Sequence, residues 1–215
     1  MRPRKPLRVW VDFDGTVACE DVTDAVLRRF AAPDWEAIEA AWLAGEIDAA
    51  TCMRRQIALI EAPAAELDAF LDGVEVDPGF AKFANWCRDA AIPLAVASDG
   101  VEYFARRILS RHGFAELAVF ANRLVLDAGR YALAHPWRDT ECRSGAGVCK
   151  CAVAAGRGWT NRHPLVYVGD GRSDRCVAER AELLFAKGEL AAHCDARGIA
   201  YRKWLTFEDV LEALA

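Results

Sequence analysis

Leu7-Arg-Val-Trp-Val-Asp12-Phe-Asp14-Gly-Thr16 decides how this chain is read. Leu7 to Val11 is short, largely apolar and β-prone, the composition of a buried strand. Asp12 ends it, and Gly15 lets the chain turn sharply just beyond. Two carboxylates two residues apart thus follow directly on a strand. A carboxylate can act as a nucleophile and form an acyl-phosphate. A second one close by can serve as general acid and then general base. The same string also suits a loop with two capping aspartates.

Working outward, Ile92-Pro-Leu-Ala-Val-Ala-Ser98 and Leu165-Val-Tyr-Val-Gly-Asp170 repeat the pattern of an apolar strand ending in polar residues, and Leu183 to Ala186 reads as a fourth strand. Turn chemistry at Asp77-Pro78-Gly79 opens a helix whose stripe is Phe80, Phe83, Cys87 and Ala91. A further helix spans about 101–112, with Phe104, Ile108 and Leu109 inward, and another about 206–214. Residues 118–134 read as one or two strands around Asp127-Ala-Gly129, and 135–149 as loop. Strands alternating with helices mean an α/β fold with a parallel sheet and helices on both faces.

Between the first two strands the period is helical throughout. Val22, Val26 and Phe30 share one face. Trp35, Ile38 and Trp42 share another, stopped by Gly45. Met53, Ile57 and Ile60 follow, then Leu67, Phe70 and Leu71. This run is too long for a simple crossover. It predicts a small helical cap over 20–76, inserted into a core made of 1–19 and 77–215.

Composition sets the limits. Of 215 residues, 53% are hydrophobic and 27% charged, which excludes general disorder. The net charge of −5 leaves no basic footprint for nucleic acid. No apolar run approaches the ~18 residues of a membrane-spanning helix. The basic start, Met1-Arg-Pro-Arg-Lys-Pro6, is followed by too short an apolar stretch for a secretory signal. A cytoplasmic protein is therefore expected, as monomer or homodimer. The eight cysteines are then expected as free thiols. Cys142, Cys149 and Cys151 are the close group, without the paired CxxC repeats of familiar zinc sites. Cys149 and Cys151 flank Lys150, whose charge would depress a thiol pKa and favour oxidation.

Strand ends of an open parallel sheet converge on one crevice. Asp12, Ser98 and Asp170 are such ends. Asp170 and Asp174, four residues apart, suit Mg²⁺, a hard cation that takes oxygen ligands. They equally suit a solvated turn. Ser98-Asp99-Gly100 before a helix is either a phosphate cradle or a plain N-cap. Lys150 would face phosphate oxygens or solvent.

Taken in order, Asp12-x-Asp14-x-Thr16, Ser98, Lys150 and Gly169-Asp170-x-x-x-Asp174 resemble the haloacid dehalogenase superfamily of phosphatases. The helical insert resembles the small cap of its phosphoserine phosphatase subgroup. Phe30-Ala-Ala-Pro-Asp-Trp35, Asp77-Pro-Gly-Phe80-Ala-Lys-Phe83, His135-Pro136 to Cys142, Cys149-Lys-Cys151 and Leu184-Phe-Ala-Lys187 resemble the methionine-salvage phosphatases acting on 2-hydroxy-3-keto-5-methylthiopentenyl-1-phosphate. The chain departs from the pattern at Asp99 and Gly171, where a glycine and a serine are usual.

The resemblance implies a Rossmann-like core and a Mg²⁺-dependent hydrolase of a small phosphorylated metabolite. Asp12 would be the nucleophile and Asp14 the acid and base. Asp12, the Asp14 carbonyl and Asp170 would hold Mg²⁺, with Asp174 as a direct or indirect ligand. Ser98, Lys150 and the amides near Gly15 and Gly100 would hold phosphate. Asp21 falls where relatives place an acidic substrate contact, and Arg54, Arg55 and Gln56 lie on a cap helix, with Arg55 the candidate to face the cleft. Trp35 and Trp42 read as cap core. A phosphotransferase using the same residues and a catalytically silent binding module are the other readings.

Overall fold

The computed structural model describes residues 6–127, 129–142, 144–156 and 163–215; the basic run 1–5 lies outside the described residues. In chain order, β1 (Arg8–Val11) is followed by four helices, α1 (Val22–Phe30), α2 (Trp35–Leu43), α3 (Ala49–Ile57) and α4 (Ala64–Leu71). Then come α5 (Phe80–Asp89), β2 (Leu94–Val101), α6 (Glu102–Arg111), β3 (Ala118–Asp127), β4 (Arg130–Ala134) and α7 (Lys150–Ala154). The chain closes with β5 (Leu165–Gly169), a 3₁₀ turn at Arg172–Asp174, α8 (Arg175–Ala178), β6 (Leu183–Ala186), α9 (Gly188–Arg197), β7 (Arg202–Lys203) and α10 (Phe207–Leu214).

Among the described residues, seven strands form one sheet in the order β4-β3-β2-β1-β5-β6-β7. All neighbours are parallel except β3 and β4, which form an antiparallel hairpin. β1 shows why its sequence is apolar without alternation. Val9 and Val11 point into one buried cluster with Phe83, Phe104 and Phe207, while Trp10 points into the other with Tyr167, Val153 and Leu184. A strand covered on both faces has no polar side to show. The chain leaves β1 for β2 on one side and returns as β5 on the other. The strand order therefore reverses at β1, and the crevice beyond its carboxyl end is the natural ligand site.

The connectors into and out of the helical insert pair with each other. Ala18 bridges Val76, and the Asp77 amide donates to the Val17 carbonyl at 2.8 Å. Val22, Val26 and Leu27 of α1, Ile57 of α3, and Leu67 and Leu71 of α4 belong to the same buried cluster as β1 and β2. The apolar core thus continues from the sheet into the insert. α2 is the exception, with no buried residue.

Three local features differ from the sequence expectation. β2 runs on through Ser98-Asp99-Gly100 to Val101, and α6 starts only at Glu102 with Val101 as its cap. Ser98 is therefore a strand residue and not an N-cap, because Val101 still pairs with Asn122 of β3 across a register irregularity. α7 was not anticipated, since five residues are too few for a period to show. α9 was missed because it buries only Leu190 and Cys194.

The turn at Asp77-Pro78-Gly79 also docks the carboxyl-terminal helix. Asp77 Oδ1 accepts from the amides of Gly79 at 2.8 Å and Phe207 at 3.1 Å. A side chain at Gly79 would meet the Glu208 backbone nitrogen at 2.7 Å. The fully buried Phe207 ring lies 5.1 Å from Phe80, 5.0 Å from Phe83 and 5.3 Å from Trp204, centroid to centroid. Among the described residues, no helix is long and apolar enough to cross a membrane. Phe207→Ala should lower stability by about 3–5 kcal/mol. Urea titration should show a lower midpoint at unchanged slope.

Candidate active site

Asp12 stands one residue past β1, and its amide donates to the Val168 carbonyl of β5 at 2.9 Å. Both its carboxylate oxygens are engaged. Oδ1 accepts from the Phe13 amide at 2.7 Å, and Oδ2 lies 2.7 Å from Lys150 Nζ. Lys150, the first residue of α7, has no solvent exposure. Its ammonium also donates to Asp174 Oδ1 at 2.6 Å and to Ser173 Oγ at 2.8 Å. An ammonium has three donors, and all three are in use.

Asp174 is equally saturated. Oδ1 accepts from Lys150 and from the Tyr167 hydroxyl, and Oδ2 from the amides of Asp170 and Gly171, each at 3.0 Å. A carboxylate offers about four lone-pair sites. Asp174 therefore anchors Lys150 and the loop after β5, and a direct metal bond would have to displace one of these donors. Asp170 accepts from Thr16 Oγ1 at 2.6 Å.

The carboxylate oxygens of Asp12, Asp170 and Asp174 lie within 4.8 Å of one another. With Lys150 as their cation, three ionised carboxylates carry a surplus of two negative charges. The pKa values register that surplus. Burial, then the charge of Asp174, pushes Asp12 well above the usual carboxylate range against the opposing pull of Lys150. Asp170 is pushed up to about 6, by burial first and then by Asp174, with the Thr16 hydrogen bond opposing. Burial alone would lower Lys150, but Asp12 and Asp174 outweigh it and hold the ammonium charged. A cluster of hard oxygen donors with two charges to spare fits a divalent cation such as Mg²⁺.

Asp14 faces the same crevice. Its Oδ1 accepts from the Val22 amide at 3.0 Å and its Oδ2 from Ser98 Oγ at 3.0 Å. Burial raises its pKa despite these two bonds. Ser98 in turn accepts from the Gly100 amide at 2.8 Å, and the Gly15 amide donates to the Glu20 carbonyl at 3.0 Å. The amides of Gly15 and Gly100 themselves are thus engaged within the protein. What the two glycines provide is space. A Cβ at Gly100 would collide with Asp14 Oδ2, and one at Gly15, which has φ +65°, would lie 2.5 Å from Asp170 Oδ2.

Asp99 does not add a bare charge to the crevice. Its carboxylate accepts from the Val148 amide at 2.9 Å and from Asn122. It thereby fastens the loop that leads into Lys150. No sequence signal singled out this role, nor those of Tyr167 and Ser173. A tyrosine inside a buried apolar strand was the one available hint.

Asp12, Asp14, Asp21, Asp99, Gly100 and Asp170 line a cavity of about 870 Å³ whose far wall comes from the insert. Asp21 caps α1 by accepting from the Asp24 amide at 2.8 Å. Desolvation of the carboxyl by the surrounding protein, and then the charge of Asp14, push it above the usual carboxylate range. Arg55 lies exposed on α3 and off this wall. The neighbouring Gln56 lines the cavity and is buried, donating to Glu39 Oε2 at 2.8 Å. One residue along a helix rotates a side chain by about 100°, which separates the two. Trp35 packs against the core as expected, but Trp42 lines the cavity beneath the Arg172 guanidinium, 5.0 Å from its ring. The depressed thiol pKa expected beside Lys150 is reversed. Burial and neighbouring thiols push Cys149 up to about 12, and the Cys176 hydrogen bond with burial raises Cys151.

The chain was compared with known proteins. It is 28% identical over 213 residues to a 2-hydroxy-3-keto-5-methylthiopentenyl-1-phosphate phosphatase of Brevibacillus brevis, covering 98% of this chain and 96% of that protein. A protein of the same description from Geobacillus kaustophilus is 28% identical over 214 residues, with the same coverage. Among solved structures, a phospho-aspartyl intermediate analogue of phosphoserine phosphatase superposes with a TM-score of 0.69 at 17% identity, covering 99% of this chain and 100% of the other. A HAD family hydrolase from Salmonella enterica serovar Typhi superposes with a TM-score of 0.74 at 19% identity, covering 97% and 71%. The family model of haloacid dehalogenase-like hydrolases matches residues 9–179, and the chain belongs to that family.

Proposed function

We propose that this protein hydrolyses the phosphomonoester of a small metabolite through an aspartyl-phosphate on Asp12. The observation that carries the reading is the pairing of two differently held carboxyl groups at one cavity. Asp12 is aligned by the Phe13 amide and the Lys150 ammonium, while Asp14 is held by the Val22 amide and the Ser98 hydroxyl with no cation in contact among the described residues. Groups with such distinct environments suit a nucleophile and a proton donor.

In the first half-reaction an Asp12 oxygen bonds to phosphorus as the ester P–O bond breaks. The leaving alcohol takes its proton from Asp14. In the second, Asp14 removes a proton from water, whose oxygen bonds to phosphorus as the Asp12 O–P bond breaks. Phosphate leaves and both carboxyl groups are restored. Ser98 and the Val22 amide orient Asp14. Lys150 offsets repulsion between Asp12 and the phosphate anion, and Asp174 holds Lys150 in position. Asp12, Asp170 and the Asp14 carbonyl would hold Mg²⁺, which when bound offsets negative charge on the phosphoryl oxygens.

For the substrate we favour the enol phosphate named for the Brevibacillus and Geobacillus relatives. Ala49, Met53 and Trp42 give the cavity an apolar wall suited to a thioether tail. A phosphoserine-type substrate is the second reading, since Asp21, Asp24 and Glu39 on the same wall would receive an ammonium. A panel of phosphorylated metabolites assayed for phosphate release with Mg²⁺ separates the two. Release from the enol phosphate at least tenfold faster than from phosphoserine is expected, and the reverse order would select the second reading. Full turnover in excess EDTA would refute the metal requirement.

Asp12→Asn should abolish turnover, because an amide cannot form the acyl-phosphate. Asp14→Asn should lose roughly 10²- to 10⁴-fold, the usual worth of a positioned proton donor. Rapid-quench labelling should trap phosphoenzyme in the Asp14 variant and none in the Asp12 variant.

Gly100→Ala should lose about 10²-fold in kcat, since the added methyl displaces the Asp14 carboxylate. Its circular dichroism should remain that of the parent.

A further inference from the structure

Beside the carboxylate cluster lies a second group of metal-binding side chains that the hydrolytic mechanism does not use. The Sγ atoms of Cys142, Cys151 and Cys176 all lie within 4.8 Å of one another. Cys149 Sγ is 3.3 Å from Cys151 Sγ and hydrogen-bonds Cys142. Three thiols from three separate segments therefore meet at one point, and Cys149 touches two of them. Cys142 belongs to the loop before α7. Cys149 and Cys151 open α7, and Cys176 lies on α8.

We propose that these four cysteines form a thiolate site for a soft divalent cation of the Zn²⁺ class. Zinc binds four thiolates tetrahedrally at about 2.3 Å, which sets the sulfurs about 3.8 Å apart. The separations within Cys142, Cys151 and Cys176, up to 4.8 Å, and the 3.3 Å between Cys149 and Cys151 lie on either side of that value, and a rotation of Cys149 would complete the set. Small side-chain rotations would close the set around one ion. The donors are sulfur, whereas the Asp12 and Asp170 donors are oxygen, so the two sites select different metals.

The charge balance is compatible with this assignment. A dication with four thiolates carries two net negative charges, and the positive charge of Arg180 acts on Cys151 in the direction that favours its thiolate. Without a metal, burial and then Cys151 hold Cys149 as a thiol, while the Cys176 hydrogen bond and then burial hold Cys151 as one. Metal binding would therefore release protons.

The location gives the site a purpose. α7 has five residues and α8 has four, too few to be stable helices on their own. Yet α7 begins with Lys150, and the 3₁₀ turn before α8 carries Ser173 and Asp174, two of the ammonium's three partners. An ion bridging the preceding loop, α7 and α8 would clamp together the segments on which the Lys150 contacts depend.

A disulfide is the competing use of close thiols. It would join two of the four and leave the convergence of the other pair unexplained.

The test uses the full chain expressed with added zinc and purified under reducing conditions without chelator. Elemental analysis after desalting should find about one zinc per chain. Exchange for Co²⁺ should produce intense sulfur-to-metal charge-transfer absorption in the near ultraviolet, which oxygen ligation by the carboxylate cluster cannot give. Cys142→Ser and Cys176→Ser should each weaken retention at least tenfold, while Cys19→Ser, remote from the cluster, should retain the metal. If Cys176→Ser fails to fold, Cys142→Ser in the loop carries the same comparison. Wild-type protein with fully reduced thiols, no bound zinc and no thiolate–cobalt absorption would overturn the proposal. So would full metal retention in both cluster variants, or isolation of the reduced-buffer protein with a Cys149–Cys151 disulfide.

Discussion

The ammonium of Lys150 has no water around it. A buried charge of this kind is tolerated only when it is paired and fully hydrogen-bonded. Lys150 meets the requirement with Asp12, Asp174 and Ser173, drawn from the end of β1 and from the turn after β5. Asp174 must then satisfy its own four acceptor sites, which it does with Tyr167 and two loop amides. The loop is fixed because the carboxylate is fixed, and the carboxylate is fixed because the lysine is buried. Removing one member would leave an uncompensated charge inside the protein, so the site holds or fails as a unit. This interdependence gives Asp12 one defined orientation, as positional catalysis of phosphoryl transfer requires.

Such crowding of carboxylates also constrains the backbone. Gly15, Gly100 and Gly169 lie where a Cβ would intrude on Asp170, Asp14 and Asp174 respectively. Each lets the chain pass against an anion with no side chain between. The parallel sheet supplies the rest. Its strands deliver Asp12 and Asp170 to adjacent ends, and the reversal of strand order at β1 leaves the crevice above them uncovered by a crossover. The helical insert then covers one side of that crevice.

The strands that carry the site could be read from the sequence because buried parallel strands are short apolar runs with abrupt polar ends. Asp12, Asp14 and Asp170 were visible for that reason. The position of Ser98 was visible, but not that pairing of Val101 with Asn122 prolongs the strand past it, nor that its hydroxyl donates to Asp14. Asp174 was visible beside Asp170 from its spacing, but spacing does not reveal that Lys150, Tyr167 and two loop amides already engage its oxygens. Arg55 and Gln56 were ambiguous because a cap helix with several polar residues leaves its phase poorly defined. Cys176 could not be joined to Cys142, Cys149 and Cys151, because only the packing of α8 against α7 brings it there.

The insert and the core divide the labour unequally, and the division follows packing. α1, α3 and α4 sink apolar residues into the shared core, so their positions are set by the same burial that holds the sheet. α2 buries none of its residues, yet it carries Glu39 and Trp42 to the cavity. Trp42 reaches the core side through the Arg172 guanidinium over its ring, a contact worth about 0.5–1 kcal/mol at an exposed site. Elements with few buried contacts open at low free-energy cost. The wall that meets the variable part of a substrate is thus the least firmly held, while the carboxylates that meet the phosphate are the most. A ligand that fills the space beside Trp42 adds burial to α2, whereas one that leaves it open does not. On the proposed reading, discrimination between substrates would follow how well each completes the packing of α2, with the chemistry at Asp12 held constant.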